Sequence, residues 1–271
     1  MSNTTQRILV SVIAIPFIIA ACYFGNELFL LFASGIGFLS FYEFSKMVKN
    51  KGIITNLYFG SVSVILLIIN SYYVFIDFQI LIILIILILF FFELFRNKES
   101  AILNLGTTLT GIFYIGLFSS SLVLIREYFN YSGFLYHQGG YLIISLLFTI
   151  WICDSAAFFI GTAFGKHKIF PRISPKKSVE GSVAGLVFSI ITMLAAKSFF
   201  IEFLSWTDTI IIGLIVGTAG QAGDFIESMI KRDAGVKDSS SLIPGHGGIF
   251  DRFDSLLFSA PVIYLYLHYF I

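Results

Sequence analysis

The chain reads as a succession of long apolar runs separated by short polar connections. A helix needs ~20 apolar residues to cross the hydrocarbon of a bilayer. Backbone groups in lipid must bond within their own segment, so each run is predicted to be a helix. Nine runs qualify, at roughly 7–24, 28–48, 57–76, 79–95, 101–126, 141–164, 181–201, 207–230 and 253–271. From Ile80 to Phe92 no side chain carries a polar atom, so that stretch is expected to face lipid. Only Arg7 precedes the first run and no small-residue cleavage site stands out before Glu27, so the run is expected to stay as a helix. The predicted fold class is all-α: a polytopic integral membrane bundle of about nine transmembrane helices.

The polar connections give the orientation. Lys46, Lys49 and Lys51, then Arg96 and Lys98, then Lys166, Lys168, Arg172, Lys176 and Lys177, then Lys231, Arg232, Lys237 and Arg252 all fall in the even connections or at their edges. With Arg7, 15 of the 17 basic residues lie on one side, with Arg126 and Lys197 the exceptions. That side is expected to be the cytoplasm. The N-terminus is then inside, and the chain is expected in the cell (inner) membrane.

Composition narrows the class. The chain has 271 residues, 57% hydrophobic and 12% charged, against about 25% charged in soluble domains. Mean hydropathy is +0.91. A soluble enzyme, a disordered tail and a disulfide scaffold are excluded. Cys22 and Cys153 lie inside apolar runs and form no disulfide or zinc pattern. The 17 Lys and Arg are offset by 16 Asp and Glu, so no nucleic-acid partner is expected.

Ionisable groups within a membrane are costly and usually functional or paired. At 1.5 Å rise per residue, Asp154 lies roughly 20 Å and Asp224 roughly 25 Å from the outer ends of their runs. Glu43, Glu93 and Asp254 also fall towards the inner ends. A through-membrane ion path would place polar groups at several depths. This placement predicts a one-sided polar cavity open to the cytoplasm. Two long inner connections, about 165–180 and 231–252, carry nine of the fifteen inner basic residues, and long connections between tight turns are usually functional. Residues 1–140 are therefore expected to be a scaffold and 141–271 the catalytic region.

Three constellations carry the candidate chemistry. In Gly220 to Arg232, positions 224, 227 or 228, and 231 share a helix face. Asp224, Ser228 and Lys231 are candidates there, and the alternative is a simple intrahelical ion pair to Lys231. In Pro244 to Ser255, glycines around His246, Gly247 and Gly248 among them, expose backbone amides ahead of a helix bearing Asp251, Arg252 and Asp254. Two carboxylates beside an anion-attracting helix start would repel phosphate unless a divalent cation lay between them. Mg²⁺ is typically held by one or two carboxylates plus substrate phosphates. Asp224 and Asp251 are the candidate ligands, with Asp254 a third. Helix capping is the alternative for Asp251 and, more heavily, for Asp254. In the third, Asp154 precedes Ser174, Lys176 and Lys177, whose ammonium groups suit a triphosphate or a lipid phosphate; inner-leaflet anionic lipid is the alternative. Lys237 is a further phosphate-side candidate. Gly161 to His167 resembles a P-loop but has one residue too few and His where Ser or Thr should bind magnesium. Gly161/Gly165, Gly181/Gly185 and Gly213/Gly217 are expected to let helices approach. His137 and His268 are expected near the outer interface, and His167 has no evident partner.

The run from Ser228 through Lys231, Arg232, Lys237, Asp238, Pro244, His246, Gly247, Gly248, Asp251 and Arg252 to Asp254 resembles the signature of phosphatidate cytidylyltransferases, also called CDP-diacylglycerol synthases. Asp154-Ser-Ala-Ala and Ser174-Pro-Lys-Lys177 are similar to that family too, so the detailed resemblance covers about 150–255. It implies a polytopic, dimeric enzyme that transfers CMP from CTP to phosphatidate and releases pyrophosphate. It implies Mg²⁺ at Asp224 and Asp251, a second, monovalent cation such as K⁺, and roles for Ser228 and Lys231. On this reading the lipid phosphate attacks the α-phosphorus of CTP in line, while Lys231, Arg252 and Lys177 hold the pyrophosphate. The rival readings are a CTP-dependent lipid-alcohol kinase and, in another class, a cation transporter with Asp154, Asp224 and Glu227 as ligands.

Overall fold

A computed structural model describes residues 3–129, 136–243, 245 and 247–271. Among these residues the structure is helical, with two isolated antiparallel bridges, Lys168 to Ser178 and Ile243 to Gly247. The helices are α1 (Asn3–Phe24), α2 (Asn26–Lys49), α3 (Leu57–Tyr73), α4 (Phe78–Arg96), α5 (Ala101–Gly111), α6 (Phe118–Arg126), α7 (Tyr136–Phe164), α8 (Val179–Phe199), α9 (Trp206–Ile215), α10 (Gln221–Asp233) and α11 (Phe250–Phe270). A π-helical turn, Ile112–Leu117, joins α5 to α6, and another, Val216–Gly220, joins α9 to α10.

Taken as continuous segments, the helices fall on the nine predicted runs. Six are long and apolar enough to cross a membrane: Asn26–Lys49, Phe78–Arg96, Ala101–Arg126, Tyr136–Phe164, Val179–Phe199 and Trp206–Asp233. The apolar parts of the first and third runs are shorter, at Val10–Phe24 and Leu57–Tyr73. α11 is long enough but is diluted by Asp251, Arg252, Asp254 and His268. The polytopic all-α class therefore holds, with six spans by length and composition where nine were predicted.

The chain divides into two compact units. The first comprises residues 1–21, 26–124 and 231–253; the second comprises 22–25, 125–230 and 254–271.

In the first unit α2 packs on α3, and α3 on the π-turn after α5. Phe29, Phe41, Val64, Leu67, Ile68, Ile112 and Ile115 are buried at the contacts. α4 buries a single stripe at Leu81, Ile85, Leu89 and Glu93, one residue per turn. Most of its other isoleucines, leucines and phenylalanines are exposed, with Ile82 and Ile86 half-buried, as expected of a helix that faces lipid. Glu93 ends the stripe paired with Arg96 at 3.2 Å and accepting from Asn104 at 2.8 Å.

In the second unit α7 packs on α8 and α8 on α9. Lipid offers no hydrophobic drive between helices, so close backbone approach through small residues does the work. A Cβ on Gly181 would meet the Ala157 carbonyl oxygen at 2.6 Å and Gly161 Cα at 3.0 Å; one on Gly217 would meet Leu186 Cα at 2.9 Å. These are the glycine pairs expected to serve contact. Arg126 is fully buried. It donates to the carbonyls of Cys22 (2.7 Å), Tyr23 (3.0 Å) and Tyr136 (3.0 Å), so it caps the C-terminal end of α1.

Candidate active site

In the second unit the π-turn Val216–Gly220 leads straight into the Asp224 region. A π-turn leaves carbonyls without their usual helical partners. The Gln221 side-chain amide donates to the carbonyls of Gly217 (2.7 Å) and Ser182 (2.9 Å), so it satisfies the turn and ties the start of α10 to α8. Asp224 follows within one turn. Its carboxylate is ion-paired with Lys177, and their side chains are 30% and 32% exposed. The Lys177 ammonium also sits 4.4 Å from the centre of the Phe225 ring, whose edge meets Phe170 at 5.1 Å. The Ser228 hydroxyl lies 3.5 Å from Asp224 Oδ1.

The connection that carries Lys177 is tied down at its base. Glu180 accepts from the amides of Lys166 (3.1 Å) and His167 (3.2 Å) and meets His167 Nδ1 at 2.6 Å. His167 thus has a partner the sequence did not reveal. Ser178 caps α8 through the Gly181 amide. Ser174 donates its amide to the Phe170 carbonyl at 2.9 Å. Lys176 is exposed, and its carbonyl accepts from Lys168.

Asp254, buried at the start of the second unit's part of α11, feels the charges of Asp224 and Asp154 and, with opposite sign, that of Lys177. The carboxylates of Asp224 and Asp254 therefore lie within electrostatic reach of the Lys177 ammonium. Asp254 Oδ1 accepts its neighbour's amide, Ser255 N, at 2.6 Å, a local helix-start contact.

In the first unit Asp251 is the hub. Its side chain is 7% exposed, and Oδ1 meets the Lys231 ammonium at 2.6 Å. Oδ2 accepts from Ser239 N (2.9 Å), Ser239 Oγ (2.9 Å) and Gly248 N (2.8 Å). Lys231 thus pairs with an acid twenty residues on, and Asp224 with Lys177, both across connections. Glu43 of α2 faces the same connection. Its two oxygens accept from Ser239 Oγ, Ser240 Oγ, Ile249 N and Phe250 N. Gly247 has φ +83°, and a Cβ at Gly248 would overlap Ser239 Oγ and the Glu43 carboxylate. Both glycines are required by geometry there. Arg252 and Lys237 are exposed. His246 lies outside the described residues.

Glu43 and Ser239 were not among the predicted site residues. The only signal for Glu43 was an acid inside an apolar run, and its partner lies 196 residues away.

Among the described residues no three or more His, Cys, Asp or Glu side chains form a metal cage by themselves. Asp224 and Asp251 are single carboxylates, and Mg²⁺ takes one or two of these and fills its remaining positions with water and substrate phosphate.

The sequence matches the model of the cytidylyltransferase family over residues 5–270. It is similar to a protein named phosphatidate cytidylyltransferase from Synechocystis sp., 32% identical over 97% of this chain and 96% of that one. A protein of the same name from Bacillus subtilis is 30% identical over 98% of both chains. Another, from Aquifex aeolicus, is 42% identical over 57% of this chain and 54% of its own. With the family pattern matched from end to end, the chain belongs to the cytidylyltransferase family and is a nucleotidyltransferase.

Proposed function

We propose that the chain forms CDP-diacylglycerol and pyrophosphate from CTP and phosphatidate, as a step of phospholipid biosynthesis on the cytoplasmic face of the inner membrane. The near full-length relatives named phosphatidate cytidylyltransferase support this reading. The observation that carries the chemistry is that each candidate metal acid is held by a lysine: Asp224 by Lys177 and Asp251 by Lys231. Such a pair can exchange both partners at once. A nucleotide bound with its cation brings positive charge for the carboxylate and phosphate for the ammonium.

Asp224 and Asp251, with Asp254 as a third carboxylate, are assigned to Mg²⁺. When bound, it neutralises phosphate charge and aligns the reacting groups. The chain's own residues do the rest. Lys177 and Lys231 pass from their aspartates to the triphosphate, and Arg252 holds the departing pyrophosphate. The Ser228 hydroxyl donates to a phosphate oxygen. Ser174, Lys176, Lys237, His246 and the amide of Gly247 complete the phosphate and headgroup contacts, while the Gly248 amide holds Asp251. A second, monovalent cation such as K⁺ would add to the charge balance beside the Mg²⁺.

One oxygen of the lipid phosphate forms the new bond to the α-phosphorus. The bond from that phosphorus to the β-bridging oxygen breaks, and its electron pair leaves with pyrophosphate. No general base is needed, because a phosphate monoester with a second pKa of about 6 is already ionised at neutral pH. Assaying both leaving groups tests the reading. Pyrophosphate should appear only when CTP and phosphatidate are both present. Release of CDP instead would mean phosphoryl transfer and would overturn it.

A further inference from the structure

Glu43 stands outside everything assigned above. It lies at the end of α2, is 1% exposed, and has four donors on two oxygens. Oε1 accepts from Ser240 Oγ at 2.7 Å and Ile249 N at 3.0 Å. Oε2 accepts from Ser239 Oγ at 2.8 Å and Phe250 N at 2.9 Å. Two of the donors are amides at the start of α11. A third, Ser239, also reaches Asp251 Oδ2 at 2.9 Å. Its single hydroxyl proton therefore lies between two carboxylates. The Gly248 amide, which donates to Asp251, belongs to the one residue whose missing Cβ leaves room for Glu43.

A buried carboxylate that only stabilised α2 would turn towards its own helix or a lysine. This one is spent wholly on the connection that carries Asp251. We infer that Glu43 is a positioning residue: through Ser239 and the first amides of α11 it fixes the carboxylate of Asp251 opposite Lys231. The assignment of a catalytic consequence rests on the proposed cytidylyl transfer. The positioning itself does not.

The geometry dictates the variants. Glu43→Gln keeps the size, but its NH₂ must face donors, and the Ile249 and Phe250 amides cannot reverse direction. Glu43→Asp keeps the charge on a shorter arm. Outer partners of reacting carboxylates typically matter by roughly 10- to 100-fold when removed.

The test uses the full chain in lipid nanodiscs, with two readouts. Hydrogen exchange at the amides of residues 239, 248, 249 and 250 should speed up by about tenfold or more in Glu43→Gln, and by more than at amides elsewhere in the helical bundle. Initial rates should fall roughly 10- to 100-fold in Glu43→Gln and recover partly in Glu43→Asp. In an Asp251→Asn background, Glu43→Gln should add little further loss, because it acts through that residue. Unchanged exchange at these amides, or losses that multiply in full in the double variant, would overturn the inference. If the wild-type chain makes no CDP-diacylglycerol, the functional reading fails by itself, and exchange still decides whether Glu43 holds the connection.

Discussion

Asp224 and Asp251 differ in how firmly they are held. Asp224 is partly exposed and meets one ammonium, whereas Asp251 is nearly buried and meets Lys231 and three further donors. Neutralising Asp224 therefore removes charge without unpicking a network. Asp224→Asn should lower kcat by on the order of 100-fold or more, while size-exclusion and circular-dichroism profiles stay those of the wild type. Asp251→Asn should lose activity and also stability, by about 1–3 kcal/mol, because it leaves buried donors poorly matched. A melt in detergent separates the two variants. Spacing singled out Asp224 and Lys231, since a carboxylate and an ammonium on one membrane-buried helix face require a reason, and the glycine-rich stretch before the last helix singled out Asp251. Spacing could not say which lysine meets which acid. The pairs Lys177–Asp224 and Lys231–Asp251 are made across connections, and helical periodicity carries no information about those.

At the scale of elements, the described residues between Val236 and Ile249 hold no regular helix, yet the stretch is pinned at Ser239, Ser240, Gly248 and Ile249. A methyl group at Gly248 cannot be absorbed without moving Ser239 or Glu43. Gly248→Ala should abolish most activity while the apolar helices survive, as judged by unchanged far-ultraviolet circular dichroism. Gly181→Val tests a different element. Its side chain would press on the Ala157 carbonyl and Gly161, and overpacking of this kind costs about 1–3 kcal/mol. A lower melting temperature is expected, with the Asp251 network unaffected. The helices themselves were legible, because apolar runs of membrane length admit no other structure. The two π-turns were not. A π-turn arises where one extra residue is accommodated within a helix, and it leaves no mark on hydropathy. The turn at Val216–Gly220 nonetheless leads directly into the helix that carries Asp224.

For the whole molecule, charge asymmetry is the main topological statement, and its two exceptions have structural explanations. Arg126 is buried as the cap of α1. Lys197 donates to the Glu202 carbonyl at 2.6 Å and lies 5.5 Å from the centre of the Trp206 ring. Neither is a free loop charge, so neither weighs against the rule that sets orientation. In a chain with Cys22 and Cys153 replaced, a cysteine at Lys176 should be labelled by an impermeant maleimide only in inside-out vesicles. One at Glu202 should be labelled only in right-side-out vesicles. The reverse pattern would invert the orientation. The number of crossings was less legible than their existence, because α3 and α11 sit at the margin of length or polarity where composition alone does not decide. The most direct measurement follows the phosphorus itself, with purified protein, phosphatidate, and CTP labelled at the α or the γ position, with and without Mg²⁺. The account predicts Mg²⁺-dependent transfer of the α-label to lipid and of the γ-label to free pyrophosphate. γ-Label in the lipid, or α-label transfer that survives removal of every divalent cation, would contradict it.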